Sequence, residues 1–303
     1  MPFLVYTQSM KQGAKSTVYI VARGGIGPGR SRSHEYGQAV LDILRRQDLL
    51  AKDLYLHPNG MWTLDGLVTD VKLAVEQGRF VYIAFVGSDG ELGDLQQVCE
   101  ECQVAHSGHG SFHSRLTKDK NNFKKLAKQH GIKSPYAHFA FNHTDHKESA
   151  KEIFNKIEIP MIIKANAGSG VEEVFLASSY GEIENLMEKF FNENKDVLAE
   201  KLIKGVDVKV LVQPHCSAIH SCVSVDSEIA LSHFQLVEVR NQALALHNAL
   251  GFTATVEYDF IIDKNGAHLL EANSHPDILH SRYSEFWKSL PHTFEEYILS
   301  LSV

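Results

Sequence analysis

Asp259, Glu271 and Asn273 are the residues whose types and spacing best suit chemistry. They lie in Asp259-Phe-Ile-Ile-Asp-Lys-Asn-Gly-Ala-His-Leu-Leu-Glu271-Ala-Asn273. That stretch reads as a β-hairpin with its turn at Asp263-Lys264-Asn265-Gly266 between two apolar runs. Folding there sets Asp259 opposite Leu270, next to Glu271. Glu271 and Asn273 are two apart, so in extended chain they point to one side. Three hard oxygen donors at the open end of a hairpin suit magnesium, which completes its octahedron with water and phosphate oxygens. An exposed hairpin with acidic ends is the plain alternative.

A second constellation carries positive charge. Lys164 ends an apolar run and precedes Gly168-Ser169-Gly170, where glycines let backbone N–H groups approach a phosphate. Lys124, on a basic helix, is placed to reach the same phosphates. Glu200-Lys201-Leu202-Ile203 follows a short strand whose edge offers a donor and an acceptor to an adenine, and Asp207 offers acceptors to ribose hydroxyls. Cys99 and Cys102 have metal-like spacing on a helix, but no second pair follows, so they read as small buried hydrophobes. His215, Cys216, His220 and Cys222 are denser, but alternate residues of a strand face opposite sides, which works against a four-ligand site.

These residues need elements to position them. Thr17 to Ala22, Ala51 to Leu56 and Phe80 to Val86 read as strands. Ser33 to Arg45 (Ser33 its N-cap), Leu67 to Gln77 and Leu92 to Cys102 read as helices, and such alternation implies a parallel sheet. Beyond Ser111 come a helix over Asp119 to His130, strands over Ile159 to Ala165 and Val174 to Ala177, and a helix over Tyr180 to Asn192. Strands at Asp196 to Ala199 and Asp207 to Val212 and a long helix over Val225 to Leu250 follow. The reading is α/β (α+β overall) in three parts: 1–110, an N-terminal parallel α/β lobe; 111–195, a central lobe; and 196–303, a C-terminal lobe.

The chain has 303 residues, 44% hydrophobic and 22% charged, as expected of a globular protein. A net charge of −7 argues against nucleic-acid binding. There is no apolar run of about 18 residues for a membrane span and no signal-like start. Four cysteines make no disulfide framework, so the expectation is cytoplasmic. Neither a G-x-S-x-G elbow nor a Walker-type phosphate loop occurs.

The ordered segments resemble the D-alanine–D-alanine ligases of the ATP-grasp superfamily over nearly the whole length. They are Gly24-Gly25 with Ser33-His34-Glu35; Val86-Gly-Ser-Asp-Gly-Glu91-Leu-Gly93; Ser107-Gly-His-Gly110 with Ser114 and Asp119-Lys120; Gly131 to Pro135; Lys164 with Gly168-Ser169-Gly170; Glu200-Lys201 with Gly205; and Asp259 with Glu271-Ala-Asn273. The resemblance implies an ATP-grasp fold, Lys124 and Lys164 on the ATP phosphates, and Glu200, Lys201 and Ile203 around adenine. It also implies Asp207 on ribose, and Asp259, Glu271 and Asn273 on two Mg2+ ions, with Mn2+ as a substitute. Ser169, Lys164 and Arg282 are the catalytic residues it marks. The implied reaction turns a carboxylate into an acyl phosphate that an amine displaces, with small amino-acid or dipeptide substrates, a homodimeric habit and a place in peptidoglycan biosynthesis.

The chain departs from this pattern in several places. Glu257 stands where the family has an arginine two residues before the metal-binding Asp. Ser33 replaces an acidic residue, Asp277 follows Pro276 where a glycine is usual, and Arg282 aligns with a serine. Only Gln213 to Ser224 stands where the family carries a long closing loop with a Lys and a Tyr. Arg240 and Arg282 are the candidates to restore the missing positive charge. An ATP-dependent ligase is the leading expectation. The alternative is a catalytically impaired homologue that binds nucleotide or a partner.

Overall fold

In the computed structural model of the chain, the described residues are 17–87, 90, 92–167, 173–215, 218–225, 230–279, 287–288, 290, 292 and 293–302. Side chains of 215, 218–222 and 224 are not among them. The chain divides into two compact units, one within Met1–Phe85, Asp94–Ser107 and Thr293–Val303, the other within Val86–Gly93 and Gly108–His292.

The first unit is built on a six-stranded sheet of order β4-β3-β2-β1-β5-β6. β1 (Val18–Gly24) runs parallel to β2 (Leu50–Leu56) and β5 (Phe80–Ile83), and β5 runs parallel to β6 (Ala105–His106). The central strands β1 and β5 are largely apolar and buried, as covered parallel strands are. The main covering helix is α1 (Arg30–Arg46), buried through Val40, Leu41, Ile43 and Leu44. Two expectations change here. Ser33 is not the N-cap but lies inside α1, buried, its hydroxyl donating to the Gly29 carbonyl at 3.0 Å. The helix expected over Leu67 to Gln77 is short. β3 (Trp62–Leu64) and β4 (Leu67–Val68) form an antiparallel edge, and α2 (Val71–Val75) starts only where the Asp70 carboxylate accepts from the Lys72 and Leu73 amides. α3 (Asp94–Glu101) buries Cys99, and both Cys99 and Cys102 are free thiols. Burial pushes the Cys99 thiol up to about 12, the behaviour of a small hydrophobe rather than a ligand. α9 (Phe294–Ser300) completes this unit, with Ile298 accepting from the buried Tyr82 hydroxyl at 3.1 Å.

The second unit holds two antiparallel four-stranded sheets. One has the order β7-β10-β8-β9: β7 (Ala137–Ala140), β10 (Val197–Lys201), β8 (Met161–Ala165) and β9 (Val174–Ala177). Met161, Ile163, Ala165, Val197 and Ala199 face α6 (His146–Lys156) and α7 (Tyr180–Asn192) across a core containing Ile153, Ile183, Met187 and Phe190. Strand alternation therefore turns Lys164 and Glu200 to the other face. The other sheet has the order β12-β11-β13-β14: β12 (Ala218–Val225), β11 (Val206–His215), β13 (Val256–Asp263) and β14 (Gly266–Asn273). α4 (Ser111–Lys118), α5 (Lys120–Gln129) and α8 (His233–Ala249) complete the unit.

The long helix expected over Val225 to Leu250 begins eight residues later. Val225 still belongs to β12, and a Ser232–Gln235 capping box starts α8 at His233. The described residues of the segment that stands at the place of a long loop are strand: β11 and β12 stay paired from Val208↔Val225 to His215↔Ala218. Among the described residues no helix is long and apolar enough to cross a membrane.

Candidate active site

The site is built on the alternation of β11 and β13. Val206, Val208, Val210 and Val212 share one face with Val256, Tyr258, Phe260 and Ile262, and this face packs on Val239, Ala243 and Leu246 of α8 and Phe123 and Ala127 of α5. The opposite face carries Asp207, Lys209, Glu257 and Asp259. Gly205 opens β11 against β13, where a Cβ would sit 2.4 Å from the Ile262 carbonyl oxygen, so only glycine fits.

β14 needs one irregularity to join this face. From the turn, Asp263 pairs with Gly266, Ile262 with Ala267 and Phe260 with Leu269. Then the register shifts at Asp259/Phe260, so that Asp259 pairs with Glu271 and Glu257 with Asn273. Leu270 is the extra residue of a β-bulge. The sequence reading set Asp259 opposite Leu270. A regular ladder would do that, and it would also turn Glu271 and Asn273 toward the core. The bulge prevents it. Glu271 becomes the direct cross-strand neighbour of Asp259, and Asn273 of Glu257, all on one face.

Four lysines meet these acids. Lys209 lies directly opposite Asp259 across β11 and β13, and its ammonium donates to Asp259 Oδ1 and Oδ2 at 2.9 and 2.8 Å and to Glu257 Oε1 at 2.9 Å. Lys120 Nζ stands 3.6 Å from Glu271 Oε2. Lys164 Nζ lies 2.8 Å from Glu200 Oε2, and Lys124 pairs with the other oxygen of the same carboxylate. Lys120, Lys124, Lys164 and Glu200 are all buried.

A small hydrogen-bonded lock holds α5 at the end of β8. The Asn166 side chain accepts from the Asn121 amide at 2.9 Å and donates to Asp119 Oδ1 at 2.9 Å, while Asp119 caps the helix by accepting from the Asn122 amide. Asn166 follows Lys164 by two residues, so this lock fixes Lys120 and Lys124 relative to Lys164.

The charges shift one another. Burial lowers Lys164 to about 8, with Lys120 adding to the fall and Glu271 and Asp259 opposing it. Burial and the neighbouring Lys164 hold Lys124 well below its usual value. Burial also pushes Asp259 up to about 7, helped by Glu257 and opposed by Lys209. Burial acts to lower Lys209, but Asp259 and Glu257 outweigh it and hold its proton more tightly than usual. Glu271 is the contrast: burial acts to raise it, yet Lys120, Lys164, Lys124 and Lys209 together keep it below the usual carboxylate range. It stays ionised, as a metal-binding carboxylate must.

Other expected residues are placed less centrally. Asp207 is exposed on β11, two residues from Lys209 on the same face. Lys201 is exposed with its ammonium 3.5 Å from Glu158, and Ile203 is half-buried between β10 and β11. Ser169, Arg282 and Cys216 lie outside the described residues, as do the side chains of His215, His220 and Cys222. Sequence reasoning missed Lys209 and gave Lys120 no role. The signal for Lys209 was present: a lysine in the polar register of Val206-Asp-Val-Lys-Val-Leu-Val212 must face whatever acids the partner strand presents.

The chain matches the RimK-like ATP-grasp domain over residues 117–220. It is 28% identical over 281 residues to the D-alanine–D-alanine ligase of Carboxydothermus hydrogenoformans, covering 84% of this chain and 86% of that one. It is 26% identical over 302 residues to the D-alanine–D-alanine ligase of Nitrosospira multiformis, covering 93% and 94%. The chain is thus similar to D-alanine–D-alanine ligases over most of its length and to an ATP-grasp domain over its central part. Its fold matches that of D-alanyl-alanine synthetase A from Vibrio cholerae with a TM-score of 0.84, at 16% identity, over 95% of this chain and 98% of that one. The VanG D-Ala:D-Ser ligase from Enterococcus faecalis shares the fold with a TM-score of 0.81, at 18% identity, over the same shares.

The donor set of the hairpin fits a hard divalent ion. Glu271 and Asp259 bring carboxylates across one rung of the ladder, and Asn273 adds an amide oxygen that accepts from the His275 amide at 2.8 Å. Among the described residues no three His, Cys, Asp or Glu side chains form a metal-ready group. What the hairpin offers is carboxylate and amide oxygen, which suits magnesium rather than zinc.

Proposed function

We propose that this protein is an ATP-dependent carboxylate–amine ligase, which joins a small amino-acid carboxylate to an amine through an acyl phosphate. The observation that carries this reading is the bulge between Asp259 and Phe260. It turns Glu271 and Asn273 to the face of Asp259, on the side where Lys120 meets Glu271. Lys164 and Lys124 are the phosphate-binding cations. They neutralise charge on the triphosphate, and their burial strengthens that attraction. Glu271 and Asn273, on the face they share with Asp259, are the candidate ligands of Mg2+, which when bound neutralises charge on the transferring phosphoryl group. β10 is paired on both sides and offers no strand edge at Glu200, so the backbone just past its end, at Leu202 and Ile203, would receive adenine, and Asp207 the ribose. The relatives' names point to a D-amino acid, and the reversed charge at Glu257 argues for an acceptor different from theirs.

The reading is tested by thermal melting with and without Mg-ATP, followed by phosphate release over a panel of amino acids and hydroxy acids. A ligand that binds only the folded chain must raise its melting temperature. No shift with saturating Mg-ATP would remove nucleotide binding from the account. A shift with no phosphate release from any substrate pair would leave a nucleotide-binding protein.

A further inference from the structure

We propose that Lys209 is a built-in cation that fills one of the metal positions, so that the site takes a single divalent ion, on Glu271 and Asn273. This rests on the Mg-ATP reading above and deepens it.

An ammonium group has three N–H donors. Three carboxylate oxygens surround Lys209 Nζ, both oxygens of Asp259 and Oε1 of Glu257, all within 2.9 Å. Every donor is therefore matched, and Asp259 has both of its oxygens turned to this cation. A divalent ion ligated by Asp259 would stand beside the ammonium, and at such separation in a half-buried site the repulsion is strong.

The ammonium is not easily moved aside. Its strand position is fixed by the Lys209↔Asp259 pair, with Leu211↔Glu257 next to it. Moving it would also leave Glu257 and Asp259, two residues apart on one face, facing each other without a cation. Glu257 is what makes the arrangement hold, since it turns a single ion pair into a two-carboxylate clamp. This also gives the reversed charge at Glu257 a physical role: it holds Lys209 in place.

The other half of the hairpin is different. Glu271 has its lysine contact at 3.6 Å rather than 2.8 Å, and its side chain is 40% exposed, against 25% for Asp259. Asn273 is uncharged, and its amide oxygen lies on the same face. Glu271 and Asn273 can therefore approach an incoming ion that also binds phosphate oxygens.

The test counts bound Mn2+ by electron paramagnetic resonance after equilibrium dialysis of the full chain with a non-hydrolysable ATP analogue. Wild type is expected to hold one Mn2+ per chain. Lys209→Met, and separately Lys209→Gln, should hold two, and Lys209→Arg should stay at one. Two ions in wild type would overturn the inference and leave the Mg-ATP reading intact. One ion in wild type and in both neutral variants would overturn it as well, since Lys209 would then exclude nothing. No bound Mn2+ with the analogue would overturn both this inference and the reading beneath it.

Discussion

Replacing Glu200 with glutamine tests the charge balance at the centre of the site. Glu200 is 3% exposed and faces Lys124 and Lys164, each 5% exposed. The substitution keeps the shape but removes the one carboxylate that these two ammonium groups share. Removing one partner of a buried ion pair leaves an uncompensated charge and costs about 3–5 kcal/mol. For a unit of this size each kcal/mol moves the melting temperature by roughly 2–4 °C, so Glu200→Gln should melt roughly 6–20 °C lower at pH 7. The loss should shrink at pH 9.5, because a lysine without its carboxylate releases its proton more readily. Scanning fluorimetry at both pH values reads the two effects. A drop below about 3 °C at pH 7, unchanged at pH 9.5, would refute the shared-carboxylate argument.

Three further outcomes follow from the same physics. His247 is fully buried and burial lowers it to about 4, so the unfolded chain takes up its proton first as pH falls. Stability should therefore fall between pH 6.5 and 4, by about 3 kcal/mol from this residue, and His247→Gln should flatten that limb in urea melts. Lys164 is lowered to about 8, so the unfolded chain holds its proton at higher pH than the folded one. Stability should rise from pH 8 toward 10 by up to about 1.4 kcal/mol per pH unit from this residue, and Lys164→Met should reduce the rise, leaving the part that the lowered Lys124 contributes. Phe260 is 1% exposed in the core beneath the site, and Phe260→Ala should cost about 3–5 kcal/mol in a denaturant melt.

Much of the frame was legible because burial writes itself into strand composition. The covered sheet of the first unit reads as apolar runs at Thr17 to Ala22 and Phe80 to Val86, where the structure has Val18–Gly24 and Phe80–Ile83, and the helix Tyr180–Asn192 reads to its end residues. What was misread depends on partners far away in sequence. Leu67 and Val68 look helical in their window but add to a sheet edge through Thr63 and Leu64. Val225 looks like the start of a helix but completes a ladder begun at Val208. In the site, the acids of the hairpin were readable from residue type, and their common face was not. It depends on one bulged residue, Leu270, and nothing local in Leu269-Leu270-Glu271 marks which residue the ladder skips. Lys209 escaped for a related reason: its role appears only when β11 lies beside β13.

The central claim is that the lysine–acid face of this unit drives ATP-dependent formation of a C–N bond. The most direct measurement couples phosphate release to mass detection of the joined product, over pairs of D- and L-amino acids, with Glu271→Gln as the control. The account predicts one phosphate per product for at least one pair, strict dependence on ATP and Mg2+, and loss of both signals in Glu271→Gln with its melting behaviour retained. Turnover that survives Glu271→Gln unchanged, or phosphate release that never yields a joined product, would contradict it.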